Sequence, residues 1–340
     1  MRVVVVGATG NVGTSVLEAL GHDEGVDQIV GVARRVPSTA YPKTTWRQAN
    51  VTSSDLVPLF EGADVVIHLA WSIQPSHDIE ALLRTNVLGS QRVLDAVAAA
   101  GVPALVVASS VGAYSRGPKD GAVTEDWPTE GTPTSFYARH KAEVERRLDR
   151  FERDHPNVRV VRMRPALSFK REAAEEVRRL FVGPLVPAWL LRPALIPVVP
   201  SMPGLRFQAV HSSDVGEAYR LAATRQVRGA FNIAADPVMD PAELGKALRA
   251  KPMRVPAWML RAVISLTWRL HLQPTEPGWF DMALRAPVMD WTRARTELGW
   301  SPTHDARQAL TELLDGFSRR ASTGTPPLSP RGRRRRRRSR

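Results

Sequence analysis

Val3-Val4-Val5-Val6-Gly7-Ala8-Thr9-Gly10-Asn11-Val12-Gly13 is the stretch that decides the fold. Four consecutive valines make a short, unbroken apolar run, the pattern of a strand buried on both faces as in a parallel sheet. Three glycines follow at G-x-x-G-x-x-G spacing, and a helical pattern runs from Val12 to Leu20. In that order the glycines permit a tight turn, let backbone N–H groups approach a pyrophosphate, and allow the helix to pack closely on the strand. The helix N-terminus adds partial positive charge. Gly7, Thr9, Gly10, Asn11, Val12 and Gly13 are therefore candidate nucleotide-binding residues, with a purely structural turn as the plain alternative. No Lys-Ser/Thr pair follows the glycines, which disfavours a P-loop NTPase.

Outward from this turn the same grammar repeats. Ile29–Val32, Asp64–Ala70, Ala104–Ala108 and Val158–Met163 read as further buried strands. Between them lie helical stretches over about Asp78–Ala100, stopped by Gly101, and over Phe136 to about Asp154. Strands alternating with helices imply right-handed crossovers and an α/β, doubly wound parallel sheet. After Arg164-Pro165 the texture changes to proline-rich and then helical sequence. Phe207–Val210 and Ala230–Ile233 read as strands returning to the main sheet. The expected division is a nucleotide-binding domain from 1–165 and 206–235, a smaller, mostly helical C-terminal substrate region from 166–205 and 236–318, and a disordered tail over 319–340.

Composition narrows the class. The 340 residues are 43% hydrophobic and 24% charged, ordinary for a globular chain. The absence of cysteine removes disulfides, thiolate metal sites and cysteine nucleophiles, and the eight histidines form no metal-ligand pattern. No stretch reaches the ~18 apolar residues of a membrane span, and no signal or transit peptide is expected, so the expected location is cytoplasmic. The net charge of +13 belongs mostly to the tail: residues 331–340 carry eight arginines and no acid, leaving +5 on the rest. Such a run attracts polyanions without specifying one, and no specific nucleic acid is expected.

Two groups of residues carry chemistry. Tyr137 and Lys141 stand at i and i+4, on one face of a helix. An ammonium one turn away favours the phenolate of a tyrosine whose reference pKa is ~10. Ser109-Ser110 directly follows the Ala104–Ala108 strand, where doubly wound sheets bind their ligands. The second strand ends in Arg34-Arg35, where an NAD site would place an acid for the ribose 2′-OH; arginine there suits a 2′-phosphate. NADP(H) is thus favoured, with NAD(H) as the alternative. Trp71 either narrows the pocket or packs into the core, and the apolar segments Pro184–Pro200 and Pro256–Leu270 either wall a hydrophobic site or form plain core. Arg139 and His140 read as solvated helix positions.

Together these motifs resemble the extended short-chain dehydrogenase/reductase family with its epimerase/dehydratase group. The likeness spans about 1–318 and takes in His68-Leu69-Ala70, Thr85-Asn86-Val87-Leu88-Gly89, Arg164-Pro165, Val210–Val215 and Glu297–Pro302. It implies a Rossmann-type sheet, Tyr137 as acid/base, and Lys141 holding the nicotinamide ribose while lowering the tyrosine pKa. Ser110 would orient the substrate, and Asn86 would be structural or proton-relaying. Asn50, where relatives often carry an aspartate near the adenine, joins Val51, Leu69, Ala70 and Pro165 as expected cofactor contacts. The implied activity is an oxidoreductase transferring hydride at a carbinol or carbonyl carbon of a small molecule. Alternatives are a redox-neutral epimerase or dehydratase, including one acting on a sugar nucleotide, and a non-catalytic nucleotide sensor. No Asn-x-x-Gly-Pro-like stretch follows Arg164-Pro165, a departure from the nucleotide-sugar pattern. A homodimer is the expected assembly.

Overall fold

The computed structural model describes residues 1–74, 76–183, 196–319 and 321–329. The valine run forms β1 (Arg2–Val6), with all four valines buried. It is followed by β2 (Gln28–Ala33), β3 (Thr44–Gln48), β4 (Val65–His68), β5 (Ala104–Ala108), β6 (Arg159–Pro165) and β7 (Gly229–Ile233). These seven strands form one sheet in the order β7-β6-β5-β4-β1-β2-β3. Every pairing in it is parallel. Parallel strands need crossovers that cover both faces. One face buries Val3, Val5, Ile29, Ile67 and Val106 beneath α1 (Asn11–Gly21). The other buries Val4, Val6, Val66, Leu105 and Val107 beneath α2 (Gly89–Ala99) and α3 (Phe136–Asp154). The alternation of neighbouring valines between two cores is the two-residue period of a strand. The chain path reverses between β1 and β4, and a crevice opens there at the carboxyl ends.

α2 is the end of a longer helical stretch that begins at the Asp78 cap and passes through one π-helical turn, Arg84–Leu88. Gly101 closes it in the left-handed region, φ 65°. α4 (Ser212–Thr224) packs on α1 and leads to β7.

Two expectations change. Phe207–His211 does not enter the main sheet. The free edge of β6 is taken by β7, and Phe207–His211 pairs in a separate three-stranded sheet with Leu167–Phe169 and Ala235–Met239. The tail does not begin at 319. Arg319 ends a helix, and within 321–329 Thr325 and Leu328 are fully buried, with the Ala321 N–H donating to the Gly316 carbonyl at 2.9 Å. Consecutive prolines restrict the free chain, so Leu328 can be buried at low entropic cost. The arginine run of 331–340 and most of the apolar run from Pro184 lie outside the described residues. Among the described residues no helix is long and apolar enough to cross a membrane.

The C-terminal region adds α5 (Ala257–Arg269), α6 (Pro277–Arg285) and α7 (Ala306–Arg319). α7 lays Leu310, Leu313, Leu314 and Phe317 on the small sheet.

Candidate active site

The glycine turn sits at the crevice. Gly7 adopts φ +89°, and a Cβ there would lie 2.6 Å from the Ala70 nitrogen, so only glycine lets β1 run this close to the chain leaving β4. A Cβ on Gly13 would meet the Gly7 carbonyl at 2.5 Å, whereas one on Gly10 meets nothing nearer than 3.8 Å. Gly7 and Gly13 are therefore needed for packing, while Gly10 leaves open space above the N-terminus of α1. That space belongs to a cavity of about 1210 Å³ lined by Gly7, Thr9 and Gly10. Arg34, Arg35, Asn50, Val51, Leu69 and Ala70 line it as well. Asn11, Val12 and Gly13 lie in α1 beneath this lining, and Asn11 Nδ2 donates to the Ser168 carbonyl at 3.0 Å. Pro165 ends β6 opposite Ile233 and does not line the cavity.

The Glu176 carboxylate accepts the Asn11 backbone N–H, the position a phosphate would take at a helix N-terminus. Burial raises the Glu176 pKa, with Arg179 and Lys170 opposing. The residues present thus fit a dinucleotide: a glycine cradle, helix N–H donors that already hold a carboxylate, and two arginines at the end of β2.

Ser110, Tyr137 and Lys141 come together beside this cavity. Ser135 caps α3 by accepting the Ala138 N–H, so Tyr137 lies in the first turn and Lys141 one turn on. The Ser110 hydroxyl hydrogen-bonds Tyr137 and also accepts the Gly112 N–H at 3.0 Å. Ser109 is occupied elsewhere, donating to Glu145 Oε1 at 2.5 Å. Lys141 is 3% exposed, and its Nζ donates to the Ala108 carbonyl at 2.7 Å. The same ammonium stands 3.5 Å from the centre of the Trp71 ring. Trp71 in turn meets Tyr137 edge-on at 5.8 Å, and Trp279 of α6 covers Tyr137 at 4.5 Å. Trp71 therefore forms the wall between the nucleotide cavity and the tyrosine–lysine pair.

This packing reverses one electrostatic expectation. Lys141 was expected to lower the tyrosine pKa. Instead burial raises the Tyr137 phenol above its ordinary value, with the Ser110 hydrogen bond only partly opposing it. Burial also lowers Lys141 to about 7, against the pull of Glu145. Removing both groups from water penalises both charged forms.

Supporting residues hold this geometry. Glu145 is 1% exposed, and though burial would raise its pKa, Arg164 and Arg162 hold it at about 2. Arg164 donates to it at 2.8 and 3.1 Å and also reaches the Tyr114 hydroxyl at 3.0 Å. Asn86, wholly buried in the π-helical turn, clamps the backbone of Ser72 in both directions. It accepts the Ser72 N–H at 2.7 Å and donates to the Ser72 carbonyl at 2.8 Å. Its place is under the loop that carries Trp71, not against Tyr137. His140 is buried, not solvated, because its ring packs on Phe136; Arg139 is exposed.

Sequence reasoning missed Trp279, Phe181, Lys170 and Glu176. Phe181 meets Trp279 at 5.0 Å, and Lys170 Nζ donates to Thr14 Oγ1 at 2.7 Å. No spacing rule marks them, since each arrives from a distant part of the chain. An aromatic pair such as Trp279-Phe280 beside a proline was the only local hint.

A seven-stranded parallel sheet with this cradle and a Ser/Tyr/Lys cluster at the end of β5 defines an extended short-chain dehydrogenase/reductase. The chain belongs to the NAD dependent epimerase/dehydratase family, whose model matches residues 3–234. It is accordingly an enzyme, and the reading as a non-catalytic sensor is set aside. Among relatives, it is 27% identical over 301 residues to the protein y4nG of Sinorhizobium fredii, covering 85% of this chain and 72% of that one. Among solved structures it resembles MoeE5 in complex with UDP-glucuronic acid and NAD, with TM-score 0.69 at 22% identity, covering 94% of this chain and 99% of that one. The UDP-glucose 4-epimerase of Thermus thermophilus, in complex with NAD, gives TM-score 0.67 at 21% identity, with the same coverage.

Proposed function

We propose that the enzyme is an NAD(P)-dependent oxidoreductase acting at a carbinol or carbonyl carbon, with Tyr137 as acid/base. The observation that carries this reading is the convergence of Ser110, Tyr137 and Lys141 behind Trp71, which lines the cavity over the glycine turn. The dinucleotide, when bound, supplies the hydride acceptor or donor. Ser110 orients the substrate oxygen, Tyr137 takes its proton or returns it, and Lys141 as an ammonium favours the phenolate, reaching ribose hydroxyls only when Trp71 moves off its Nζ. Asn86 acts as a positioning residue by holding the Trp71–Ser72 loop. The indole N–H groups of Trp71 and Trp279 are buried without partners beside Tyr137, which favours a substrate carrying acceptor oxygens.

Arg34 and Arg35, exposed at the end of β2 and lining the cavity, support acceptance of a 2′-phosphate and hence NADP(H). A redox-neutral epimerase or dehydratase acting on a sugar nucleotide is the second reading, favoured by likeness to enzymes whose structures hold UDP-sugars or NAD.

The experiment is to denature the purified protein and identify any released nucleotide, then assay Tyr137→Phe. Stoichiometric NAD⁺ supports the redox-neutral reading. An empty protein that binds NADPH more tightly than NADH, with that preference lost in Arg34→Ala, supports a net reductase. Tyr137→Phe abolishes turnover and leaves cofactor binding intact; turnover within a few-fold of wild type removes Tyr137 from the mechanism.

A further inference from the structure

α5 carries large apolar side chains on two opposite sides, and one of those sides is exposed. Leu260, Ile264 and Trp268 are part-buried and lie along one side at helical spacing, and the Trp268 indole donates to Ser76 Oγ at 3.0 Å. The opposite side carries Trp258, Met259, Val263, Leu266 and Leu270, and all are exposed, at 73% for Trp258 and 59% for Leu266. At 100° per residue these five side chains fall within one arc of about 140°. Of the 13 large apolar residues exposed among those described, seven lie between Met253 and Leu272. A clustered apolar patch of this kind marks an interaction surface.

Charge identifies the occupant. From Leu244 to Thr275 the chain carries six Lys or Arg and no Asp or Glu. Arg261 is paired with Asp281 and Lys246 with Glu243. Arg249, Lys251, Arg254 and Arg269 form no ion pair among the described residues. On the helical projection Arg269 lies about 20° from Trp258, inside the arc and between Trp258 and Leu266. An apolar stripe with a tryptophan at one end and a basic rim is the pattern of a helix lying in a membrane interface. A second copy of this chain would oppose one basic rim with another, which like charges disfavour. We propose that the exposed face of α5 docks on an anionic phospholipid surface, with its side chains entering the headgroup boundary and no part of the helix crossing. The eight arginines of residues 331–340 add a second attraction of the same sign. Stable anchoring generally needs two such signals.

The test is co-sedimentation of the full chain with phosphatidylcholine vesicles, alone or containing phosphatidylglycerol. The variants are Trp258→Glu/Leu266→Glu and a deletion of 331–340, with circular dichroism and dinucleotide binding checking the fold. Wild type should bind the anionic vesicles and bind the neutral ones much more weakly. The double variant should lose about tenfold or more in partitioning with its fold and dinucleotide binding unchanged. The tail deletion should weaken binding yet leave the double variant's further loss visible. Equal vesicle binding by wild type and double variant overturns the proposal and assigns any attraction to the tail. Absence of vesicle binding also overturns it. In that case, a self-association lost in the double variant shows that a second copy covers the face, and a lowered melting temperature shows that the chain itself packs on it.

Discussion

Gly10 and Gly13 are three residues apart in one turn, yet alanine at the two positions should fail in opposite ways. Gly10 precedes α1 with φ −78° and ψ 179°, a conformation any residue adopts. Its added Cβ would lie 3.8 Å from the Gly7 carbonyl, ordinary contact. Gly10→Ala should therefore leave the fold intact and stabilise it by about 0.4–1 kcal/mol through a less free unfolded chain. The same methyl would project into the space that a bound pyrophosphate needs. Dinucleotide affinity should accordingly fall by at least about tenfold, or 1.4 kcal/mol. Gly13→Ala places a Cβ 2.5 Å from the Gly7 carbonyl and 2.7 Å from the Ala8 carbonyl carbon, both backbone atoms. Overpacking of that kind costs roughly 1–3 kcal/mol, and here backbone rather than a side chain must move. Urea denaturation gives the stability and calorimetric titration with NAD⁺ and NADP⁺ gives the affinity. A Gly10→Ala protein that binds dinucleotide like wild type refutes the placement of the cofactor over Gly10. A Gly13→Ala protein as stable as wild type refutes the packing argument.

Three further outcomes follow from the buried charges. Glu145→Gln leaves Arg162 and Arg164 without their shared carboxylate and should lower unfolding free energy by about 3–5 kcal/mol at neutral pH. Because the folded Glu145 carboxyl lies at about 2 against an ordinary 4.5, its contribution is present above 4.5 and lost as pH falls through 2. Acid titration of wild type and variant should therefore converge, and parallel curves would argue against the depressed pKa. Lys141 runs the other way. With a folded value of about 7 against 10.5, the unfolded chain binds the extra proton between these limits, so stability of the cofactor-free protein should rise with pH across that window. Lys141→Met should flatten the rise, and a wild-type curve already flat would show a solvated ammonium. Finally, Glu176→Ala removes the side chain that accepts the Asn11 N–H and should tighten dinucleotide binding several-fold. Unchanged affinity would mean that Glu176 does not compete with the phosphates.

The parts of the fold legible in the sequence were those governed by short-range rules. Buried parallel strands announce themselves as valine runs, the glycine spacing marks the turn after β1, and α3 begins and ends at Phe136 and Asp154 as its apolar period indicates. β3 escaped notice because it is an edge strand, Thr44-Thr45-Trp46-Arg47-Gln48, with polar side chains on its open side. Phe207–Val210 reads as a strand, and it is one, but it pairs in the small sheet and not in the main one. Periodicity specifies that a segment is extended and says nothing about which edge is free, and β7 had already taken the edge of β6.

The site divides along the same line, and the tyrosine–lysine pair shows why. Spacing i, i+4 guarantees that Tyr137 and Lys141 share a helix face, but adjacency alone does not decide the sign of a pKa shift. That sign depends on which groups exclude water, and here they come from two distant places, Trp71 after β4 and Trp279 on α6, with Phe181 backing Trp279. Trp71 and Trp279 cover the phenol and Trp71 covers the ammonium, so burial dominates and the phenol moves up while the ammonium moves down. A Tyr-x-x-x-Lys motif therefore identifies the chemistry a site can perform, while its aromatic enclosure sets when it can perform it. For this enzyme the residue to watch is Trp71. It faces the nucleotide cavity and the Lys141 ammonium at once, and its loop is held in place by Asn86.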